Sequence, residues 1–279
     1  WSDILLNGTS NFVAEGFRDS GKTSLVIKGT PLHALAYPRK EKYYIVFLLN
    51  NSTLAQKRLQ EIVEAYESNV DLSGNLIRTV EYKPSLGVYE AEVTDGEKNC
   101  LVRIEAYGKG ASIRGLSWKD LRPELIIIDD PQDLDDVESD LIVDRDWDWF
   151  LSEVKFLGKD ARIFLIGNNL GEKCIVERCL ASKEILNFDG QRIPIADSAG
   201  DPPDVQILKS SWPERYSLDF IINEKETYEQ LGKTDIWWRE RMCVAVSPTT
   251  QRFRHGMFRY YRLDDIRRKL PSMSKYTTV

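Results

Sequence analysis

The sequence predicts an α/β fold, a mostly parallel sheet flanked by helices with an inserted antiparallel hairpin. Three observations carry this. Residues 43–49 and 125–128 are continuous apolar runs of strand length, the pattern of strands covered on both faces. The first run leads into STLAQKRLQEIVEAYESN, where Leu54, Leu59, Ile62, Val63 and Tyr66 recur at helical spacing behind a capping Ser52 or Thr53. A buried strand followed by an amphipathic helix is a βα unit, and repeated units give a parallel sheet. Finally, residues 88–93 and 100–107 alternate apolar and polar around Asp95-Gly96, as the arms of a hairpin do.

In chain order, residues 12–14 form a short apolar strand running into a glycine loop, and residues 23–27 continue as helix. The 125–128 strand ends in Asp129-Asp130-Pro131. Residues 140–157 read as helix, with aromatics at Trp147, Trp149, Phe150 and Phe156. ARIFLIGNN is a further strand and 172–182 a further helix. Residues 187–204, rich in Asp, Gly and Pro, read as a long loop. A short strand at 205–208 and helices at 218–231 and 236–244 follow. From Arg252 the chain turns basic, so the sequence divides into one domain over 1–250 and a basic linker over 251–279.

Composition narrows the class. The chain has 279 residues, 42% apolar and 29% charged, the make-up of a globular protein. A net charge of −6 does not advertise nucleic-acid binding by bulk electrostatics. The apolar runs are too short to span a bilayer. The four cysteines form no C-x-x-C pair and have only two histidines to join them, which argues against zinc and for reduced thiols in a cytoplasmic protein.

The chemistry begins at EGFRDSGKTSL, residues 15–25, where Gly16 is followed by four residues and then Gly21-Lys22-Thr23. G-x-x-x-x-G-K-[S/T] between a strand and a helix is the phosphate-binding loop of nucleotide-binding proteins. Gly16, Asp19, Ser20, Gly21 and Ser24 shape the cradle. The amides of Asp19 to Thr23 meet the phosphates at a positive helix end, Lys22 neutralises charge, and the Thr23 hydroxyl ligates Mg2+. Such a loop needs a carboxylate at the end of another strand. PELIIIDD supplies Asp129 to hold Mg2+ and Asp130 to polarise an attacking water. If the ARIFLIGNN strand lies beside it, Asn168 or Asn169 reaches the γ-phosphate and reports whether ATP or ADP is bound. A delocalised cation is also needed, and Arg18 in the loop, Arg114 between glycines and Arg122 are the candidates.

In combination, FRDSGKTS, GKGASIRGLSWKDLRPELIIIDDPQD, IFLIGNNLGEKCIVERC and SSWPERYSLDFI resemble, in that order, motifs of the ATPase domain of the large terminase subunit of tailed bacteriophages. The resemblance spans about residues 10 to 260. It implies a P-loop NTPase of the ASCE type and an ATP-hydrolysing motor that translocates double-stranded DNA into a procapsid. By it, Lys22 and Thr23 bind phosphate and Mg2+, Asp129 is the metal carboxylate, Asp130 the catalytic one, and Asn168 or Asn169 the coupling residue. The partners implied are double-stranded DNA, the portal protein, the small terminase subunit and further copies in a ring, in the host cytoplasm and at the portal vertex. A C-terminal nuclease domain of the RNase H type is also implied, its carboxylates beyond Val279. Two departures stand out: the family often carries glutamate where Asp130 stands, and often threonine at the coupling position. Two other readings share the phosphate contacts: a helicase-like or other DNA-stimulated ATPase, and a nucleotide-gated scaffold that hydrolyses slowly.

Overall fold

A computed structural model describes residues 8–199 and 205–244. The basic stretch from Arg252 and the linker over 251–279 lie outside the described residues.

The frame is an eight-stranded sheet in the order β3-β4-β5-β2-β6-β7-β1-β8. Its strands are β1 (Asn11–Gly16), β2 (Lys42–Leu49), β3 (Leu76–Lys83), β4 (Val88–Thr94), β5 (Asn99–Gly108), β6 (Leu125–Asp129), β7 (Arg162–Gly167) and β8 (Phe188–Ile193). From β5 to β8 every neighbouring pair is parallel. The central strands are buried throughout, which is why they read as unbroken apolar runs. At the other edge β3, β4 and β5 are antiparallel, so the hairpin continues the main sheet.

Period-two alternation divides the strand side chains between two cores. On one face Phe12, Ile45, Phe47, Ile127, Phe164 and Ile166 pack under α2 (Ser52–Ser68) and the helix after the phosphate loop. Leu59, Ile62, Val63 and Tyr66 of α2 are buried there, while Leu54 is 36% exposed. The cap of α2 is Asn51, one residue before the expected serine; its side chain accepts from the Leu54 amide at 2.9 Å. On the other face Val13, Val46, Ile126, Ile128 and Leu165 pack against α5 (Asp140–Ser152) and α6 (Ile175–Ala181). The helix expected over 140–157 stops at Ser152, and a 3-10 turn, Val154–Phe156, completes it.

The helix after the loop is irregular for a definable reason. It runs as a π-helical segment, Ser24–Gly29, into α1 (Thr30–Ala36), which opens with Pro31. Proline has no N–H to donate one turn back and its ring crowds that carbonyl, so the chain widens by a π-turn just upstream.

Three strands differ from the sequence expectation. Residues 187–199 of the expected long loop are largely paired: β8 pairs with the full length of β1, and β9 (Ala196–Ala199) pairs antiparallel with β10 (Gln206–Ser210). The sequence FDGQRI holds few apolar residues because β8 is an edge strand. Its Gly190 packs closely, since a Cβ there would lie 3.0 Å from the Leu180 side chain and 3.3 Å from that of Lys183. Likewise β3, an exposed edge strand, carries no apolar run. The β9–β10 ribbon, α8 (Leu218–Gln230) and α9 (Thr234–Met242) enclose a third, smaller core of Ile195, Tyr216, Ile221, Trp237, Trp238 and Met242, into which Phe17 of the phosphate loop inserts. Cys100, Cys174, Cys179 and Cys243 are buried free thiols.

Candidate active site

The loop, the paired aspartates and the Gly-Asn-Asn turn all leave the sheet at the C-terminal ends of β1, β6 and β7, with β7 between the other two. Lys22 is buried, and its Nζ donates to Asn168 Oδ1 at 2.7 Å and to Gly16 O at 3.3 Å. The Thr23 hydroxyl donates to Asp129 Oδ1 at 3.4 Å. The Asn168 amide donates to Asp130 Oδ1 at 3.2 Å. Asn168 therefore joins the loop lysine after β1 to the second aspartate, just past β6.

Backbone strain marks the same place. Asp19, Gly21 and Asp130 have φ of 69°, 82° and 41°. Aspartate tolerates the left-handed region better than most residues, and such conformations persist where surrounding contacts over-determine them. Asp130 is held by its amide on Ile166 O, its carboxylate on the Asn168 amide, and Pro131 after it. Gly16 is dictated by space, because a Cβ there would lie 2.7 Å from Ser20 Oγ.

The residues present fit a phosphate and a divalent cation. Ser20 Oγ is buried without a hydrogen-bond partner and sits beside Lys22 in the loop. The amides of Phe17, Arg18 and Ser20 are bound to Ile193 O, Glu240 O and Phe17 O. The Ser20 N–H is thus turned into the loop, and of the expected cradle Asp19 and the helix start, Gly21 to Thr23, remain. Burial, then the charge of Asp130, pushes the Asp129 pKa up to about 7, against the pull of Lys22, Arg58 and the Thr23 hydroxyl. Burial also raises Asp130, opposed mainly by Lys22. Two crowded, desolvated carboxylates are a site that a cation relieves. Thr23 and Asp129 bring a hydroxyl and a carboxylate oxygen within 3.4 Å of each other, the hard oxygen donors a divalent cation takes.

Other candidates are placed differently. Asn169 does not face the loop: its Nδ2 donates to Glu177 Oε1 at 2.8 Å and Cys243 O at 3.1 Å, and its Oδ1 accepts from Gly171 N. Of the two asparagines Asn168 meets Lys22, while Asn169 turns to the helix that carries Glu177. Arg18 is 68% exposed and pairs with Glu240 at 3.6 Å, although its charge still helps hold the Asp130 pKa down. Arg114 is also 68% exposed and pairs with Glu153, just past α5. Its segment runs down the sheet face from β5 to β6, so it has no contact with the phosphate loop among the described residues. Arg122 donates to Leu116 O at 3.0 Å. Ser24 is exposed and lines the apolar cavity that lies against the loop.

Three residues take places at the site that the sequence did not assign them, Trp212 being the tryptophan of the SSWPERYSLDFI motif. Arg58 on α2 contributes positive charge to Asp129. Trp212 borders an apolar cavity of about 620 Å3 against the loop, with Phe17, Leu25, Ile193, Gly21 and Lys22. Glu15, fully buried one residue before the loop, accepts from Arg192 Nε at 2.6 Å, and Arg192 also binds Glu177. Burial and the adjacent Glu177 push the Glu15 pKa up to about 9. Because its folded value lies above the unfolded one, Glu15 stabilises fully below about pH 4.5, and that contribution disappears as pH rises through about 9. Unfolding free energy should therefore fall between about pH 4.5 and 9 more steeply in the unsubstituted chain than in Glu15→Gln, by at most about 1.4 kcal/mol per pH unit. Parallel curves would assign the effect elsewhere.

Among solved structures, the chain is similar to the large terminase ATPase domain of Thermus phage P74-26, at 12% identity and a TM-score of 0.56, covering 87% of this chain and 92% of that one. It is similar to a large terminase from a thermophilic bacteriophage, solved in complex with ADP, at 10% identity and 0.55, covering 88% and 52%. The HK97 bacteriophage large terminase matches at 18% identity and 0.52, covering 85% and 47%. The chain thus spans about half the length of these last two proteins. No protein-family profile and no curated protein matches the chain. At these identities the likeness is one of fold: the chain has the P-loop α/β fold of the ATPase domains of phage large terminases.

Proposed function

We propose that this chain is the ATP-hydrolysing engine of a viral DNA-packaging motor, which works in a ring on the portal protein, receives DNA from the small terminase subunit and drives double-stranded DNA into a procapsid. In the full-length protein we assign DNA cutting to a C-terminal nuclease domain. The reading places it in the host cytoplasm and transiently at the portal vertex. One observation carries it: Lys22 and Thr23, Asp129 and Asp130, and Asn168 converge on one point from three adjacent strand ends.

The residues divide the work. Lys22 leaves Asn168 for the β- and γ-phosphates, while Thr23 and Asp129 hold Mg2+, which when bound neutralises phosphate charge. Asp130 orients a water and accepts its proton. Asn168, freed from Lys22 by the γ-phosphate and bonded to Asp130 through its amide, registers hydrolysis. The apolar cavity at Trp212 takes the base. Trp212→Ala should weaken ATP and ADP binding by about tenfold, as loss of one stacking contact does, with kcat retained. Unchanged affinity would exclude the base from that cavity.

The test of the whole reading is phosphate release from ATP and magnesium, with and without linear duplex DNA. Weak turnover alone, stimulation by duplex, and no strand separation are expected. Separated strands favour the helicase-like reading; nucleotide binding without turnover favours the scaffold.

A further inference from the structure

A second cavity, of about 520 Å3, opens at the opposite rim, where β2, β6 and β7 begin. Five residues of β6 separate the rims, about 15–20 Å at strand rise. Among the cavity's lining residues Arg39, Lys40, Arg122, Lys159 and Arg162 outnumber Glu124 and Asp160, and Arg162 also donates through Nε to Ser10 O at 3.2 Å. That excess of positive charge stands on a chain of net charge −6. Lys40 pairs with Glu124 and lies over the Tyr43 ring. The floor is apolar, formed by Ala34, Leu125 and Phe164. Arg162 lies over the Phe164 ring at 4.7 Å, and burial draws its pKa below the ordinary value. Tyr37 is 63% exposed and rests against His33 on one side, which leaves its other side for a planar group.

Apolar floor, exposed aromatic and cationic rim are complementary to a flat ring that carries phosphate. We infer that this cleft is a second ligand site, for a phosphate-bearing nucleotide unit, free or within a strand. It cannot be the active site, which occupies the other rim. The helical run from Ser24 to Ala36 connects the two: it begins at the phosphate loop, and Thr30, His33 and Ala34 line the cleft.

The experiment counts ADP bound per chain by equilibrium dialysis and follows a short fluorescein-labelled oligothymidylate by anisotropy. The double variant Arg39→Glu/Lys159→Glu reverses two exposed rim charges far from the phosphate loop. If the ligand is a free nucleotide, the unsubstituted chain binds two ADP and the double variant one. If it is a strand, both bind one ADP, and the double variant binds oligothymidylate about tenfold or more weakly, as loss of charge-assisted phosphate contacts requires. One ADP in both, with oligothymidylate binding absent or unchanged, overturns the inference. The ADP kept at the loop reports that the double variant is folded; should it be lost, Tyr37→Ala reads the same changes. Lys22→Ala removes loop-bound nucleotide alone, so failure of the loop and failure of the cleft are read separately.

Discussion

Asp130→Asn should lower kcat for ATP by about 100-fold or more, the usual contribution of a positioned general base, while nucleotide affinity stays within about threefold. The substitution is chosen for what it keeps. Asparagine tolerates the left-handed backbone that Asp130 adopts at φ 41°, and its side-chain oxygen can still accept from the Asn168 amide. Only the charge and the proton acceptor are lost. Lys22 is kept for the phosphates and Thr23 and Asp129 for Mg2+, so binding should survive. Asp130→Glu gives the complementary reading: it restores the charge one methylene further out, and should recover part of the rate if the carboxylate acts on a water. A kcat for Asp130→Asn within about threefold of the unsubstituted chain would remove Asp130 from the reaction and leave a nucleotide-binding module.

How far the sequence discloses this site depends on whether a residue's role is set locally. The phosphate loop is legible because its spacing and glycines are backbone requirements: Gly16 leaves no room for a Cβ beside Ser20, and Gly21 has positive φ. Asp129 and Asp130 are legible because a buried apolar run must end at a sheet rim. The choice between Asn168 and Asn169 is set by strand phase. Asn168 shares parity with Phe164 and Ile166, which face the helix after the loop; the neighbouring Gly167 faces Val176 of α6, and Asn169 reaches Glu177 of that helix. That signal is present in ARIFLIGNN, but it needs the knowledge of which face carries the loop. Glu15, Arg58 and Trp212 belong to another class. Their roles come from what distant segments bring beside them, Arg192 to Glu15 and the loop to Trp212, and no local pattern encodes such meetings. The edge strands β3 and β8 are missed for the same reason, since pairing with a neighbour rather than their own composition makes them strands.

A large stability effect is expected in the small third core, and it should be felt at the phosphate loop. Trp237 is 1% exposed, meets Trp238 edge to face at 5.5 Å and donates through Nε1 to Glu224 at 3.1 Å. Trp237→Ala removes the largest fully buried side chain, so a cost of about 3–5 kcal/mol is expected. The same helix holds the first limb of the loop. The Arg18 amide donates to Glu240 O at 2.8 Å, and Arg241, paired with Glu224, donates to Arg18 O at 2.8 Å. Phe17 is inserted among the tryptophans' neighbours, edge to face with Tyr216 at 5.6 Å. Loosening α9 therefore frees the backbone on which Ser20 to Thr23 depend. Trp237→Ala should lose nucleotide affinity at temperatures where far-UV circular dichroism still reports the main sheet intact, because that sheet has its own two cores. A substitution elsewhere in the main cores, such as Phe150→Ala under α5, should cost comparable stability and leave affinity unchanged while folded. If the two variants lose affinity only together with the sheet, the third core supports the whole fold and has no separate hold on the loop.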